Sequence, residues 1–475
     1  IKLYANDIAE FAAFEACEID MVDWHLSREY IDRWSADPSI KIVPAGGEYG
    51  MYVIDINNNP NELLGNPPGY DANGNWHGTP NPVYPNPCGV CCFRHALAHL
   101  MDRNYVVNVL EGGLGIPMYT MVPPPCVSFV HPDIVPGGVL EELCHLFNCT
   151  EAKRILDECD EAPADGWPDF PINGATGWRF WDRNGDGVEQ PEESLQLIFY
   201  IRVDQKFEHD LGLWYADQIE TCLQVRVDRR LRTQPVCSVE VMQQHNFHLY
   251  TGYWRMPMDP YLLLSNPYHL HTLFHIDKYW WPGDCPNYNA VNCSDYNYWV
   301  DQLVRANSMS DAQYAAYMAQ EAFATPCCIG KIPVKCPVVY KAYKRQYSGP
   351  ELPYTGQLWK GVVNKPGFGI DNEYSFLNMY PEGHLMGDCE HMTIRWGFKT
   401  DLKMLNPLYA HSPHDWNVLH LIYESLLTRD PYTYELIPSK AKAYSVGTYI
   451  HPVIGEECSK VKFTLRTDDC WHDGV

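Results

Sequence analysis

No apolar run in this 475-residue chain is long enough to span a bilayer, so the sequence predicts no membrane-crossing helix. Basic residues are scarce: 35 Lys and Arg face 60 Asp and Glu, a formal net charge of −25. A nucleic-acid partner needs a basic face to meet phosphate, and this balance excludes one. The surplus of acid reads as a solubility feature. Haem-attaching CxxCH and paired CxxC zinc knuckles are both missing. So is a phosphate-cradling glycine loop: Gly112, Gly113 and Gly115 follow a helical stretch and precede Pro117, not a strand-to-helix turn. No Ser/His/Asp grouping carries a local catalytic signature. No leader pattern is visible, and Ile1 falls in strand- or loop-like sequence, which reads as a processed or trimmed product.

Hydrophobic residues make up 46% of the chain, a globular proportion, and the length calls for two or three lobes rather than one core. Eighteen cysteines is a high count. With no zinc-knuckle spacing to absorb them, they imply disulfides and an oxidising compartment, or a hyperthermophile. Cys88, Cys91 and Cys92 form the tight cluster; Cys327, Cys328 and Cys336 form a looser one. Sequons at Asn148 and Asn292 agree with an exported glycoprotein.

Residues 182–193 match the twelve-residue calcium-loop template at every specified position. Calcium is a hard cation that takes about six to eight oxygens, and alternate residues of a loop can supply them. Asp182, Asn184 and Asp186 offer side-chain oxygens, Val188 its carbonyl, Gln190 a direct or water-mediated contact and Glu193 a bidentate carboxylate. Gly187 permits the sharp turn. Position eight, normally apolar, is Glu189. An EF-hand has a helix on each side. Here Trp178, Phe180 and Trp181 precede the loop and the strand-like 195–201 follows, so a calcium turn entering a strand is expected. Asp71, Asn73 and Asn75 resemble half of such a loop but lack its glycine and closing carboxylate, and read as an Asn-Gly turn.

Apolar, β-branched and aromatic content predicts a strand over 49–56 and a short buried strand over 18–23, with a helix over 27–34. Asn, Pro and Gly dominate 57–90, which predicts a long surface loop. Phe93, Ala96, Leu97, Leu100 and Met101 recur at helical spacing and predict an amphipathic helix over 92–103. Pro123, Pro124 and Pro125 mark a linker. Strand 195–203, helix 210–220 and strand 223–227 form a β–α–β unit and hence a parallel pair. Further helices are expected over 152–158, 294–306 and 311–323, the last capped by Asp311. Near Thr393 the chain changes character, with a strand-like 394–398 and a helix over 415–427.

A series of motifs runs in order along the chain. It begins with Glu18-Ile-Asp20, Phe93-Arg94, Asp102-Arg103, Gly112-Gly-Leu-Gly-Ile-Pro117 and Val122-Pro-Pro124. Ala152-Lys-Arg-Ile-Leu156, Phe247-His-Leu-Tyr-Thr-Gly-Tyr-Trp254 with Asp259-Pro260, Tyr296-Asn-Tyr-Trp-Val-Asp301, residues 315–323, residues 361–367 and Phe376-Leu-Asn378 follow. Over residues 10–380 the series resembles the family 5 extracellular solute-binding proteins, the oligopeptide, dipeptide and nickel receptors of ABC importers, in an archaeal-like form. The resemblance implies a two-lobed α/β fold of the periplasmic-binding-protein type and no enzymatic activity. It also implies an extracellular or cell-surface location, ligand capture by hinge closure and delivery to an ABC permease.

Ile394-Arg-Trp-Gly-Phe398, Leu405-Asn-Pro-Leu408, residues 421–427 and Cys470-Trp-His-Asp-Gly474 resemble the mature start of such a receptor, yet they stand last. The architecture is therefore expected to be incomplete or rearranged. The expected division is 1–117 as part of lobe 1, 118–345 as lobe 2 with the calcium loop, 346–392 as the closing segment, and 393–475 as a lobe 1-type segment. That last segment would belong to a next repeat or exchange with a neighbour. The alternative is an extracellular structural protein that keeps the scaffold and self-associates through 393–475, because a head-to-tail contact that does not close makes a filament.

By the same resemblance the ligand cleft holds Tyr253, Trp254, Arg255 and Asp259, with Glu48 and Tyr49 on the facing strand. Peptide receptors of the family place an Asp just after the Gly-Trp pair to hold the ligand's ammonium. Here the acid comes later, at Asp259, so a sugar stacked on Trp254 and hydrogen-bonded by Arg255 is as plausible as a peptide. His95 and His99 lie four apart on one helix, with Cys91 a turn earlier. That spacing can hold zinc, but Ala96 stands where the zincin base belongs, and structural histidines are the expected reading. His269, His271 and His275 form a second cluster with no stronger support.

Overall fold

A computed structural model of the chain describes residues 1–59, 85–160, 169–255, 288–348, 355–383 and 392–468, apart from 292, 307, 400, 401, 403, 411, 412, 433–435, 454 and 456. The chain divides into two compact units, one of residues 1–46 with 339–475 and the other of residues 47–338. These boundaries differ from the divisions at 117 and 345 drawn from the sequence. The strand at 50–56 explains the first difference: it hydrogen-bonds to 249–255, which ties the stretch after residue 47 to the second unit.

The first unit begins with β1 (Lys2–Leu3), α1 (Asp7–Glu15) and α2 (Arg28–Ser35), and leads into β2 (Ile40–Gly47). Asn6 caps α1, its side-chain oxygen accepting from Ala9 N at 2.9 Å. Phe11 and Phe14 pack on Trp34, fixing α1 to α2. Residues 19–23 of the expected strand at 18–23 are buried, but they form no extended strand: Met21 makes single bridges to Tyr343 and Trp396. The out-of-place segment starts within this unit. Its short strand Gly397–Phe398 runs parallel to β1, and Arg395 pairs with Asp20 at 2.6 Å. Trp396 and Phe398 share a core with Met21, Tyr347, Trp359 and Ile370.

The expected helix at 415–427 is shorter, Pro413–Leu419. Beyond it Ile422, Tyr423 and Leu426 are exposed, so no apolar face is there to hold further turns. The described chain closes on a long hairpin of Ala441–Ile450 with Glu457–Leu465.

The second unit is built on a mixed sheet. At its centre β3 (Gly50–Ile56) lies antiparallel between β7 (Leu249–Arg255) and β8 (Lys331–Lys344), and the short β4 (Gly115–Pro117) also pairs antiparallel with β8. From β7 the sheet continues through β5 (Gln196–Arg202) to β6 (Arg226–Arg232), both pairings parallel. The β–α–β unit is present, with the helix Lys206–Gln218 as its crossover. Gly212 allows that helix to lie close: a Cβ there would stand 2.5 Å from Ile201 Cγ2. One core under the sheet gathers Ile54, Phe93, Leu97, Leu156, Phe199, Leu211 and Ile332.

Several expectations change in this unit. Residues 57–59 and 86–88 are buried rather than a surface loop. Asn86 Nδ2 donates to the carbonyls of Asn57 and Asn59, and Asn57 Nδ2 to that of Phe247. Polar side chains here satisfy buried backbone. Residues 60–84, and with them Asp71, Asn73 and Asn75, lie outside the described residues. The helix expected over 92–103 is α3 (Cys91–Ala98), after which Asp102 caps a new turn by accepting from Tyr105 N. Val122 and Pro123 are buried within the unit, so the proline run is a packed turn, not a linker. The helix Met309–Ala324 is capped by Ser308, which accepts from Asp311 N, and Asp311 sits in the first turn where an acid favours the helix dipole.

Among the described residues four disulfides brace this unit: Cys91–Cys327, Cys92–Cys159, Cys149–Cys222 and Cys293–Cys328. The adjacent pairs 91/92 and 327/328 are each split between partners. Cys91 is therefore not free to ligate a metal.

Candidate functional site

β3 and β7 run opposite each other in register, with Met51 facing Trp254 and Tyr52 facing Tyr253. Successive residues of a strand point to opposite faces, so Tyr253 and Trp254 serve two different surfaces of the sheet. Glu48 and Tyr49 precede β3 and are almost fully buried.

On Tyr253's face, its hydroxyl donates to Glu48 Oε2 at 2.7 Å. Tyr52 lies 4.6 Å from the Tyr253 ring and 4.6 Å from Phe207. Lys335, opposite Tyr52 on β8, sets its ammonium 4.0 Å from the Phe207 ring centroid and 4.8 Å from that of Tyr52, and pairs with Glu111. Burial pushes the Tyr52 phenol well above its ordinary range, so it stays neutral. This face therefore presents a row of half-buried aromatic rings flanked by a paired cation and a fixed carboxylate.

On the other face Trp254 stacks on Tyr288 at 6.1 Å, with the Lys331 ammonium 4.4 Å from the Trp254 ring centroid. Lys331 pairs with Asp55 at 2.5 Å and donates to the Tyr288 hydroxyl at 2.9 Å. Burial lowers the Lys331 ammonium to about 8 against the pull of Asp55. Gly252 makes room for this pair, since a Cβ there would stand 2.2 Å from Asp55 Oδ2. The predicted cleft residues thus divide into a Glu48–Tyr253 group and a Trp254 group. Lys331, Lys335, Tyr52 and Tyr288 join them, although no family motif singled them out. Tyr52 stands opposite the named Tyr253, while Lys335 faces Tyr52 and Lys331 faces Asp55 across β8, and Tyr288 lies outside the strands, so only Tyr52 carried a signal of register. Arg255 ends β7 opposite Gly50. Asp259 and the histidines at 269, 271 and 275 lie outside the described residues.

The acidic loop at 182–193 is closed by the bridge Phe180↔Ser194 and leads into β5, with one short turn, Pro191–Glu193, at its end. Asp182 and Glu193 are 4% and 3% exposed. Asp182 accepts from the backbone of Gly185, Asp186 and Gly187; Asn184 from Asp186; Asp186 from Val188. Glu193 accepts from the backbone of Arg183 and Gln190, and Gln190 Nε2 reaches the Val188 carbonyl at 3.4 Å. Gly185 and Gly187 take positive φ, as the tight turn requires. The unusual Glu189 has a local use: Asn173 Nδ2 donates to it at 2.6 Å. These oxygens fit a hard cation, because two buried carboxylates and two Asx side chains are gathered on one loop by backbone donors.

Asn148 is exposed and caps the helix Cys149–Asp157 through its side-chain oxygen, whereas glycosylation would use its amide nitrogen. Asn292 lies outside the described residues. Among the described residues no helix is long and apolar enough to cross a membrane.

No protein-family profile and no curated protein matches the chain. Solved structures do. The oligopeptide-binding protein AppA from Bacillus subtilis, in complex with a nonapeptide, aligns with TM-score 0.52 and 13% identity over 74% of this chain and 56% of its own. Lactococcal OppA, complexed with an endogenous peptide in the closed conformation, gives 0.51 and 16% over 72% and 55%. A periplasmic oligopeptide-binding protein from Thermotoga maritima, bound to mannohexaose, gives 0.53 and 13% over 80% and 61%. The chain therefore spans a little over half the length of these proteins. At such identities the likeness is one of fold, and the chain has the two-lobed α/β fold of the periplasmic binding proteins, in part.

Proposed function

We propose that the chain is an extracellular, non-enzymatic solute receptor that captures a peptide or an oligosaccharide and hands it to the permease of an ABC importer. The observation that carries this reading is the end of β3 and β7, where Tyr52 and Tyr253 offer half-buried aromatic surface beside Glu48 and Lys335 on one face and Trp254 offers it on the other. Aromatic rings suit a sugar face, and fixed charges suit the termini of a peptide. The proteins of like fold were solved with a nonapeptide, an endogenous peptide and mannohexaose. The filament alternative draws less support, because residues 395–398 pack on their own chain. The test is a thermal-shift screen of short peptides and manno-oligosaccharides. A true ligand at about 100 times its Kd adds roughly 2.7 kcal/mol and raises the melting temperature. A screen in which no member of either class shifts melting would contradict the reading.

Calcium at Asp182, Asn184, Asp186, Val188, Gln190 and Glu193 is part of the same proposal, as a staple between Trp181 and β5. Chelation is expected to lower the melting temperature, and Asp182→Ala to lower it and abolish the response to chelator. Identical melting curves with and without chelator would count against the staple.

A further inference from the structure

Three histidines from two separate segments converge within the second unit. His95 lies in the last turn of α3, His99 is its C-cap, and His145 ends the turn Glu141–Cys144. One ring nitrogen of each lies within 4.8 Å of the other two, and among the described residues this is the sole group of three His, Cys, Asp or Glu drawn so close. The ring centroids are 5.0, 5.2 and 5.4 Å apart.

The hydrogen bonds fix which nitrogens are available. His99 Nδ1 faces the Leu146 carbonyl at 2.9 Å, and a carbonyl can only accept, so Nδ1 carries the proton and Nε2 keeps its lone pair. His145 Nε2 faces the Ala324 carbonyl at 2.7 Å, which by the same logic leaves the lone pair on Nδ1. That Nδ1 has no hydrogen-bond partner, although His145 is only 6% exposed. His95 Nε2 lies 3.3 Å from His99 Nε2; in the neutral pair His95 must donate this contact, and a shift of its proton to Nδ1 would free a third lone pair.

A structural cluster of histidines would satisfy its buried nitrogens. This one leaves an acceptor unmet at the point where the others converge. Carbonyls orient two of the rings from behind, as second-sphere partners orient metal-bound imidazoles. His145 also adopts a left-handed backbone, φ 44°, which a non-glycine residue holds only under constraint.

We propose that His95, His99 and His145 bind one divalent transition-metal ion of the zinc type, with a coordination position left toward solvent. Nitrogen donors select against calcium and magnesium, which take oxygen. His95 and His99 are half-exposed and give the ion a route in. The disulfides Cys92–Cys159 and Cys149–Cys222 hold α3 and the helix after His145 in place around the site. Sequence spacing alone pairs His95 with His99 and suggests Cys91; folding replaces that cysteine, held by Cys327, with His145.

The test uses the intact, untagged chain, stripped by chelator and resupplied with calcium, and titrated with Zn2+ or Co2+ alone. One zinc per chain is expected, with cobalt giving the visible absorption of a low-coordinate nitrogen site. His99→Gln and His145→Asn should each weaken zinc at least about tenfold. Asn is chosen at 145 because it tolerates the left-handed backbone. The remote variant His209→Gln should leave affinity unchanged. If His145→Asn fails to fold, His99→Gln at the helix end decides alone. No stoichiometric zinc in the wild type, or affinity untouched by His99→Gln, overturns the proposal. No solute ligand is present, so the outcome is independent of the receptor reading.

Discussion

Lys331→Ala is expected to destabilise the 47–338 unit by roughly 3–5 kcal/mol, because it strands Asp55 as an uncompensated buried charge. Neither side chain of this pair reaches solvent, and their charged atoms are 2.5 Å apart. Asp55 also accepts from Asn289 Nδ2 at 3.2 Å, and Lys331 lies between the rings of Trp254 and Tyr288. Truncating Lys331 removes the countercharge, a hydrogen bond to Tyr288 and a contact with the Trp254 ring together. The double variant Asp55→Asn with Lys331→Met should recover much of the loss, since replacing both members of a buried pair is far cheaper than orphaning one. Urea denaturation of the wild type, the single variant and the double variant reads this directly. A single variant within about 1 kcal/mol of wild type would mean that the pair is solvated or absent.

Removing the Cys91–Cys327 bridge as Cys91→Ala with Cys327→Ala should cost on the order of 4 kcal/mol. The two cysteines are 236 residues apart, and the chain-entropy cost of leaving so long a loop open is large. Cys92 and Cys328 bond to other partners, Cys159 and Cys293, so loss of this bridge detaches the start of α3 from the chain near Thr325 without freeing either end entirely. Melting of the double variant, compared with the wild type under non-reducing conditions, measures the effect. Unchanged melting would show that the bridge does not form.

Much of the second unit was legible. The apolar strand at 50–56 and the β–α–β unit at 195–227 follow from local periodicity, and the Asn- and Gly-containing run at 182–193 with the strand-like 195–201 after it predicted a turn entering a strand. The misses share a physical cause, which is tertiary context overriding local composition. Asn57, Asn59 and Asn86 looked like loop residues, yet they are buried because their amides serve backbone carbonyls. The helix over 92–103 was overextended because Leu100 and Met101 are buried in the turn after α3, not in a further helical turn.

At the candidate site, Tyr253 and Glu48 were named and do meet, but Trp254 was grouped with them although strand alternation sends it to the other face. Lys331 and Lys335 sit in an apolar run, where sequence reading discounts charge; their role emerges from the register of β8 against β3. His145 carries no local signal. It meets His95 and His99 only because the chain returns to α3 after some forty residues of turns.

The receptor reading rests on ligand contact at the end of β3 and β7. Calorimetric titration of the intact chain and of Trp254→Ala, with the strongest peptide or manno-oligosaccharide from the thermal-shift screen, addresses that contact. Saturable binding by the wild type, weakened at least about tenfold in Trp254→Ala at a temperature where both proteins are folded, is the expected result. It corresponds to the loss of about 1.4 kcal/mol of aromatic contact. Equal affinity in both proteins would place the ligand elsewhere and contradict the assignment.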